Sequence, residues 1–122
     1  MEEDYKTTLR MSSNATVIAD KIVSSGKFED RLSVFQFAFA YAIKTQGKNL
    51  NPELLDSKYD AGGSTYNIGS LDSDGFLEKI ILLVYPNCKT PYRYIRGIMI
   101  YGTECLGELL DNGKLFPISQ HM

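Results

Sequence analysis

A chain of 122 residues, 43% hydrophobic and 23% charged, is expected to form one domain over 1–122, since domains of about 100–150 residues bury roughly two thirds of their unfolded surface. The net charge of -2 argues against a protein whose whole surface neutralises DNA phosphates, so a nucleic-acid contact has to come from a local basic patch. No apolar run approaches the ~20 residues of a membrane span, and the acidic start Met1-Glu2-Glu3-Asp4 is unlike a secretory signal, so a cytoplasmic protein with no membrane partner is expected.

Tyr5, Thr7, Leu9 and Met11 alternate with Lys6, Thr8 and Arg10, the two-residue period of a half-buried strand over 5–11. Ser12 and Ser13 suit a helix N-cap, and Val17, Ile18, Ile22 and Val23 predict a first helix over 14–25, stopped by Gly26. Asp30 can cap a second helix whose apolar stripe is Leu32, Phe35, Phe39, Ala42 and Ile43, ending near Gly47. Residues 48–70 lack sustained periodicity and contain Pro52, Gly62, Gly63 and Gly69. They read as an irregular loop with at most one helical turn at 52–55, and loops that long are often functional or mobile. Its residues Tyr59, Gly62, Gly63, Tyr66 and Asn67 suit either clasping a ligand or covering the core.

Phe76, Leu77, Ile80, Ile81 and Val84 predict a third helix over 74–85, ended by Pro86. Thr90-Pro91 is a helix start, and a fourth helix should extend to Leu110. Gly97, Gly102 and Gly107 each cost that helix about 1 kcal/mol, which leaves a short buried strand over 98–101 as an alternative. The expected fold class is mainly α, a short N-terminal strand followed by about four helices.

Residues for self-sufficient catalysis are scarce. His121, the one histidine, is next to last, so Ser-His-Asp and Cys-His sites are excluded. Cys88 and Cys105 stand alone without zinc-ligand spacing and read as buried reduced thiols. Gly62-Gly63-Ser64-Thr65 is not followed by the Gly-Lys-Ser/Thr of a phosphate loop. Asp72-Ser73-Asp74-Gly75 resembles part of a calcium loop, but aligning Gly75 with its sixth position puts Ile81 where the bidentate Glu is required; helix capping explains these carboxylates better. No enzymatic activity, cofactor or metal is expected.

One positive feature remains. No acidic residue lies between Glu78 and Glu104, while Lys89, Arg93 and Arg96 fall in that window beside Tyr85, Tyr92, Tyr94 and Tyr101. Arg93 and Arg96, three apart, share a helix face. With Pro91 opening the helix, Lys89 and Arg93 sit at its positive end, each disfavoured by about 0.3–1 kcal/mol, and an anion there would offset that cost. The alternative is a solvated basic face paired with acidic residues from elsewhere in the chain or from a neighbour, and Arg96, one turn further in and beside Gly97, can instead hold a structural carboxylate.

Several segments together resemble the small proteins of bacterial Dnd systems, which place sulfur in the DNA backbone as a phosphorothioate and support defence. They are Leu9-Arg10-Met11-Ser12, Phe28-Glu29-Asp30, Val34-Phe35-Gln36-Phe37-Ala38-Phe39-Ala40 and Tyr92-Arg93-Tyr94-Ile95-Arg96-Gly97-Ile98, with Gly102, Leu106, Leu109 and Leu110. The chain is similar to the E subunit of the modification complex and to a Dnd-associated accessory protein. This resemblance implies a helical, oligomeric, non-enzymatic component that meets DNA or other proteins of the same system. The opening strand and two helices also resemble ribbon-helix-helix regulators, in which strands from two chains pair and enter the major groove, with Lys6, Thr8 and Arg10 as the reading face. A protein-protein adaptor without DNA contact is a further alternative. The strand at 5–11 has no obvious partner in the chain, so pairing with a second copy, and hence a homo-oligomer, is expected.

Overall fold

Side-chain caps set where the helices begin. In the computed structural model, which describes residues 3–116, Ser12 accepts from the Ala15 amide at 3.1 Å and opens α1, Ser13–Ser24. Asp30 accepts from the Ser33 amide at 2.8 Å and opens α2, Arg31–Thr45. That bond holds the Asp30 carboxyl below its usual range. After a 3-10 turn at Gly47–Asn49 come α3, Pro52–Lys58, the strand β2, Thr65–Asn67, and the single turn α4, Ile68–Leu71. Helices α5, Phe76–Val84, and α6, Pro91–Asp111, complete the elements of the described residues. Among the described residues the architecture is mainly helical, as expected, with six α-helices where about four were expected and a second short strand.

Two expectations are corrected. The segment 48–70 is not an irregular loop: Asn51 caps α3, Pro52 stands at its first position, and the helix runs two turns rather than one. The N-terminal strand β1, Thr8–Arg10, is not left without a partner. It pairs antiparallel with β2, matching Thr8 with Asn67, Leu9 with Tyr66 and Arg10 with Thr65. Met11 extends the ladder through its amide to the Ser64 carbonyl, and Gly63 donates to the Met11 carbonyl. The reason for expecting a strand shared between two copies is thereby removed.

Helix α6 is the hub on which α1, α2, α3 and α5 all pack. Its glycines are the points of closest approach. A methyl group on Gly97 would lie 2.6 Å from the Pro52 carbonyl oxygen at the start of α3, and one on Gly102 would strike the Ala38 carbonyl of α2. The helix-propensity cost of these glycines is offset by backbone approach that no larger residue permits. Residues 98–101 are accordingly helical and fully or largely buried, not a strand. Leu9, Met11, Phe35, Phe39, Ile95, Ile98, Met99 and Leu106 form the centre of the core, each contributing about 1.5–3 kcal/mol by burial. Among the described residues no helix is long and apolar enough to cross a membrane. His121, Met1 and Glu2 lie outside the described residues.

Candidate functional site

The expected basic patch is largely turned inward. Arg96 projects from α6 into the junction of β1, α3 and the segment after it, and its side chain is only 3% exposed. Nε donates to the Arg10 carbonyl at 2.6 Å, Nη1 to the Asp56 carbonyl at 3.0 Å and to Asp56 Oδ1 at 2.9 Å, and Nη2 to the Asp60 carbonyl. Arg96 is thus a buried cross-brace holding the Asp56 carboxylate, the second of the two roles expected for it, and it is not part of a surface anion patch. Burial of a guanidinium is tolerable here because a carboxylate and three carbonyls replace its water.

Arg93, one turn earlier, meets the other oxygen of the same carboxylate, with Nη1 at 3.0 Å from Asp56 Oδ2. Its guanidinium carbon lies 4.6 Å from the centre of the Tyr5 ring, and Nε donates to the Glu3 carbonyl. The Tyr5 hydroxyl donates to Asp56 in turn, and burial raises its pKa above the usual phenol value. At the start of α6 the free amides are also occupied. Asp4 accepts from the Tyr92 amide at 3.2 Å and from the Arg93 amide at 2.9 Å. An anion at this positive helix end was the expectation, and the chain supplies it itself as a carboxylate.

Lys89 is exposed in the turn before α6 and lines an open cleft of about 600 Å³ with Glu3, Asp4, Lys6, Glu53, Asn87, Thr90 and Tyr94. The three acidic groups there offset its charge. Lys6, Thr8 and Arg10 are all exposed, as a reading face requires. Lys6 lies 3.6 Å from Glu3, and Arg10 Nε donates to Thr65 Oγ1 on the neighbouring strand. The structure therefore separates Arg93 and Arg96 from the rest: these two share Asp56, Lys89 lines the cleft together with Lys6, and Thr8 and Arg10 are exposed on β1.

Nothing in the sequence reading singled out the other exposed feature, which is α5. Asp72 and Asp74 open this helix, Asp72 accepting from the Leu77 amide at 2.8 Å and the Glu78 amide at 3.1 Å, and Asp74 from the Phe76 amide at 3.1 Å. Capping, not calcium, is the use of these carboxylates. Only Ile81 of α5 is fully buried, while Phe76 is 59% exposed, Leu83 79% and Leu82 43%. Beside the helix runs a groove of about 390 Å³ whose apolar lining includes Phe39, Ala40, Leu71, Leu77 and Ile80. Gln36, near the start of α2, donates to the Leu71 carbonyl, and Tyr85, at the end of α5, donates to the Gly47 carbonyl, so α2 and α5 run in the same direction along the groove. The signal was present in Phe76-Leu77-Glu78-Lys79-Ile80-Ile81-Leu82-Leu83-Val84, which is apolar around most of its circumference while only one face can be buried.

The remaining chemistry is structural. Cys88 and Cys105 are half-buried free thiols, and burial pushes both above the usual thiol range, away from the reactive thiolate. Tyr59 donates to Glu104 at 3.1 Å, and Tyr66 packs edge-on against Phe35 with ring centres 5.6 Å apart, so the 59–67 segment covers the core. Among the described residues no cluster of His, Cys, Asp and Glu is arranged to hold a metal ion. Comparison with protein-family models, curated proteins and solved structures finds no match to this chain.

Proposed function

We propose that the chain is a non-enzymatic binding and assembly module that works through protein contact at the α5 face, within the bacterial DNA modification and defence setting that its sequence resembles. The observation that carries the protein-binding arm is that Phe76, Leu82 and Leu83 stand in solvent on a helix flanked by a groove. Exposed contiguous apolar surface is costly to keep and marks interaction sites. The DNA-binding arm is the weaker of the two. Arg93 and Arg96 are bonded to Asp56, and the amides at the start of α6 are bonded to Asp4, which leaves little of the expected patch's positive charge for a phosphate backbone. The ribbon-helix-helix reading is weaker still, because β1 pairs with β2 of its own chain.

The test combines two measurements. Gel shifts with duplex, nicked and single-stranded DNA across a salt series should show no affinity that falls steeply with salt. Pull-down with the intact protein should retain a partner that Leu83→Glu loses. Salt-sensitive DNA binding that is unaffected by Leu83→Glu would overturn this reading.

A further inference from the structure

We infer that α5 is itself the inserted element of a protein contact: its outer crest enters an apolar cleft of a different protein, and a carboxylate on the rim of that cleft meets Lys79. The inference rests on the reading of α5 as the binding face and goes beyond it by naming the side of the helix that is covered and the chemistry of what covers it.

The positions of the exposed residues around the helix decide between two ways of covering it. At about 100° per residue, Lys79, Leu83 and Phe76 fall about 140–160° round the helix from buried Ile81, and Leu82 about 100°. All four share the arc that points away from the core, with Lys79 and Leu82 on one side of its middle and Leu83 and Phe76 on the other. The groove beside α5 runs along one flank only, that of Leu77 and Ile80. A partner ridge laid into this groove covers Phe76 and reaches Leu83, but it leaves Leu82 in solvent on the opposite flank. A cleft that receives the helix covers all three exposed apolar residues at once. Phe76, Lys79 and Leu83 are three, four and seven apart, the spacing of anchors on a helix held in a groove.

Charge selects the rim of that cleft. Helix α5 carries two charged residues, Glu78 and Lys79. Glu78 is half-buried on the flank opposite Ile80, near Tyr92, whereas Lys79 is exposed in the middle of the crest. At the leading end the Asp74 carboxylate is engaged by the Phe76 amide. The lysine stem can lie along its apolar neighbours while the ammonium reaches the edge of the contact, so the matching group on the partner is an acid at the rim. The helix is also ready for insertion. Asp72 and Asp74 hold its first amides, and Tyr85 ties its end to the Gly47 carbonyl. A helix of nine residues is marginal when free, so the fold supplies in advance the order that a peptide would acquire only on binding.

The probe is the protein retained in the pull-down, purified and titrated against the intact parent chain and four variants; the pattern across variants, not retention, is the measurement. Leu82→Glu and Leu83→Glu should each weaken binding about 10-fold or more, since each loses the burial of a leucine. Lys79→Glu should weaken it about 3–10-fold, and added salt should narrow that difference. Ala40→Gln, which projects into the groove from α2, should bind like the parent. Should Leu82→Glu lower the melting temperature, Leu82→Gln takes its place. Weakened binding of Ala40→Gln, or undiminished binding of the Leu82 variant, places the partner in the groove and overturns the inference. The α5 reading then stands as long as Leu83→Glu still loses the protein. Binding of Lys79→Glu as tight as the parent's overturns the acidic rim. An intact chain that retains no protein, or a retained protein that binds every variant like the parent, removes the α5 reading and the inference together.

Discussion

Replacing Asp56 by asparagine removes one charge from the most heavily braced point of the molecule. The carboxylate is 4% exposed and joins Arg93, Arg96 and the Tyr5 hydroxyl, so it ties α3 to α6 and to the N-terminal segment. Asparagine keeps the shape but leaves the buried Arg96 guanidinium without its counter-charge. Removing one partner of a buried ion pair costs about 3–5 kcal/mol, and the carbonyls of Arg10, Asp56 and Asp60 still accept from Arg96, which places the loss near the lower end. A chain of this size has a total stability on the order of 6–18 kcal/mol, so about 3 kcal/mol is a large fraction of it. Urea unfolding followed by circular dichroism should show the midpoint falling by about 1.5–2 M for a slope near 1.5–2 kcal/mol/M. The double variant Asp56→Asn with Arg96→Met should recover part of the loss, because the uncompensated charge is gone as well. A midpoint shift under about 0.5 M, or a double variant no better than the sum of the singles, would refute the view that this node is a coupled brace.

Gly102→Ala should destabilise, although alanine is better by about 1 kcal/mol in a free helix, because the new methyl meets the Ala38 carbonyl; a raised melting temperature would show that α2 can move aside. Phe39→Ala should cost about 3–5 kcal/mol, read as a lowered urea midpoint, since the ring is 1% exposed at the centre of the core. Stability should be full below pH 10 and fall as pH rises from 10 towards 12: burial, with the Asp72 carboxylate 3.2 Å away, pushes the Tyr92 hydroxyl up to about 12, above its unfolded value near 10, so the fold opposes ionisation. Melting temperatures recorded across that range should decline less for Tyr92→Phe than for the parent.

What could be read from the sequence and what could not divide along contact distance. The stripe of α2 and the Ser12 and Asp30 caps are local patterns, and each element forms where its own few residues predict it. The strand β2 is three residues long, and its partner β1 lies more than fifty positions away, so neither periodicity nor turn chemistry could pair them. The short helix α3 was hidden for a similar reason. Its seven residues present no repeating stripe, and it is held by approach to Gly97 and by the Asp56 brace, both contacts with a distant helix.

The basic window at 79–103 shows how a local charge excess can mislead about function. Within the window nothing balances Lys89, Arg93 and Arg96, and the positive start of a helix makes the imbalance worse, so an external anion is the natural inference. The fold answers with carboxylates that are remote in sequence: Asp4 on the amides of Tyr92 and Arg93, and Asp56 between the two arginines. The unmet requirement of the surface lies elsewhere, on a helix whose apolar residues Phe76, Leu82 and Leu83 remain in solvent. Phe76 and Leu83 gain nothing from solvent, and the core is already closed beneath them by Ile81. In this chain the surface still seeking a partner is identified by unburied hydrocarbon rather than by unbalanced charge, which is why the proposed function turns on α5 and not on the arginines.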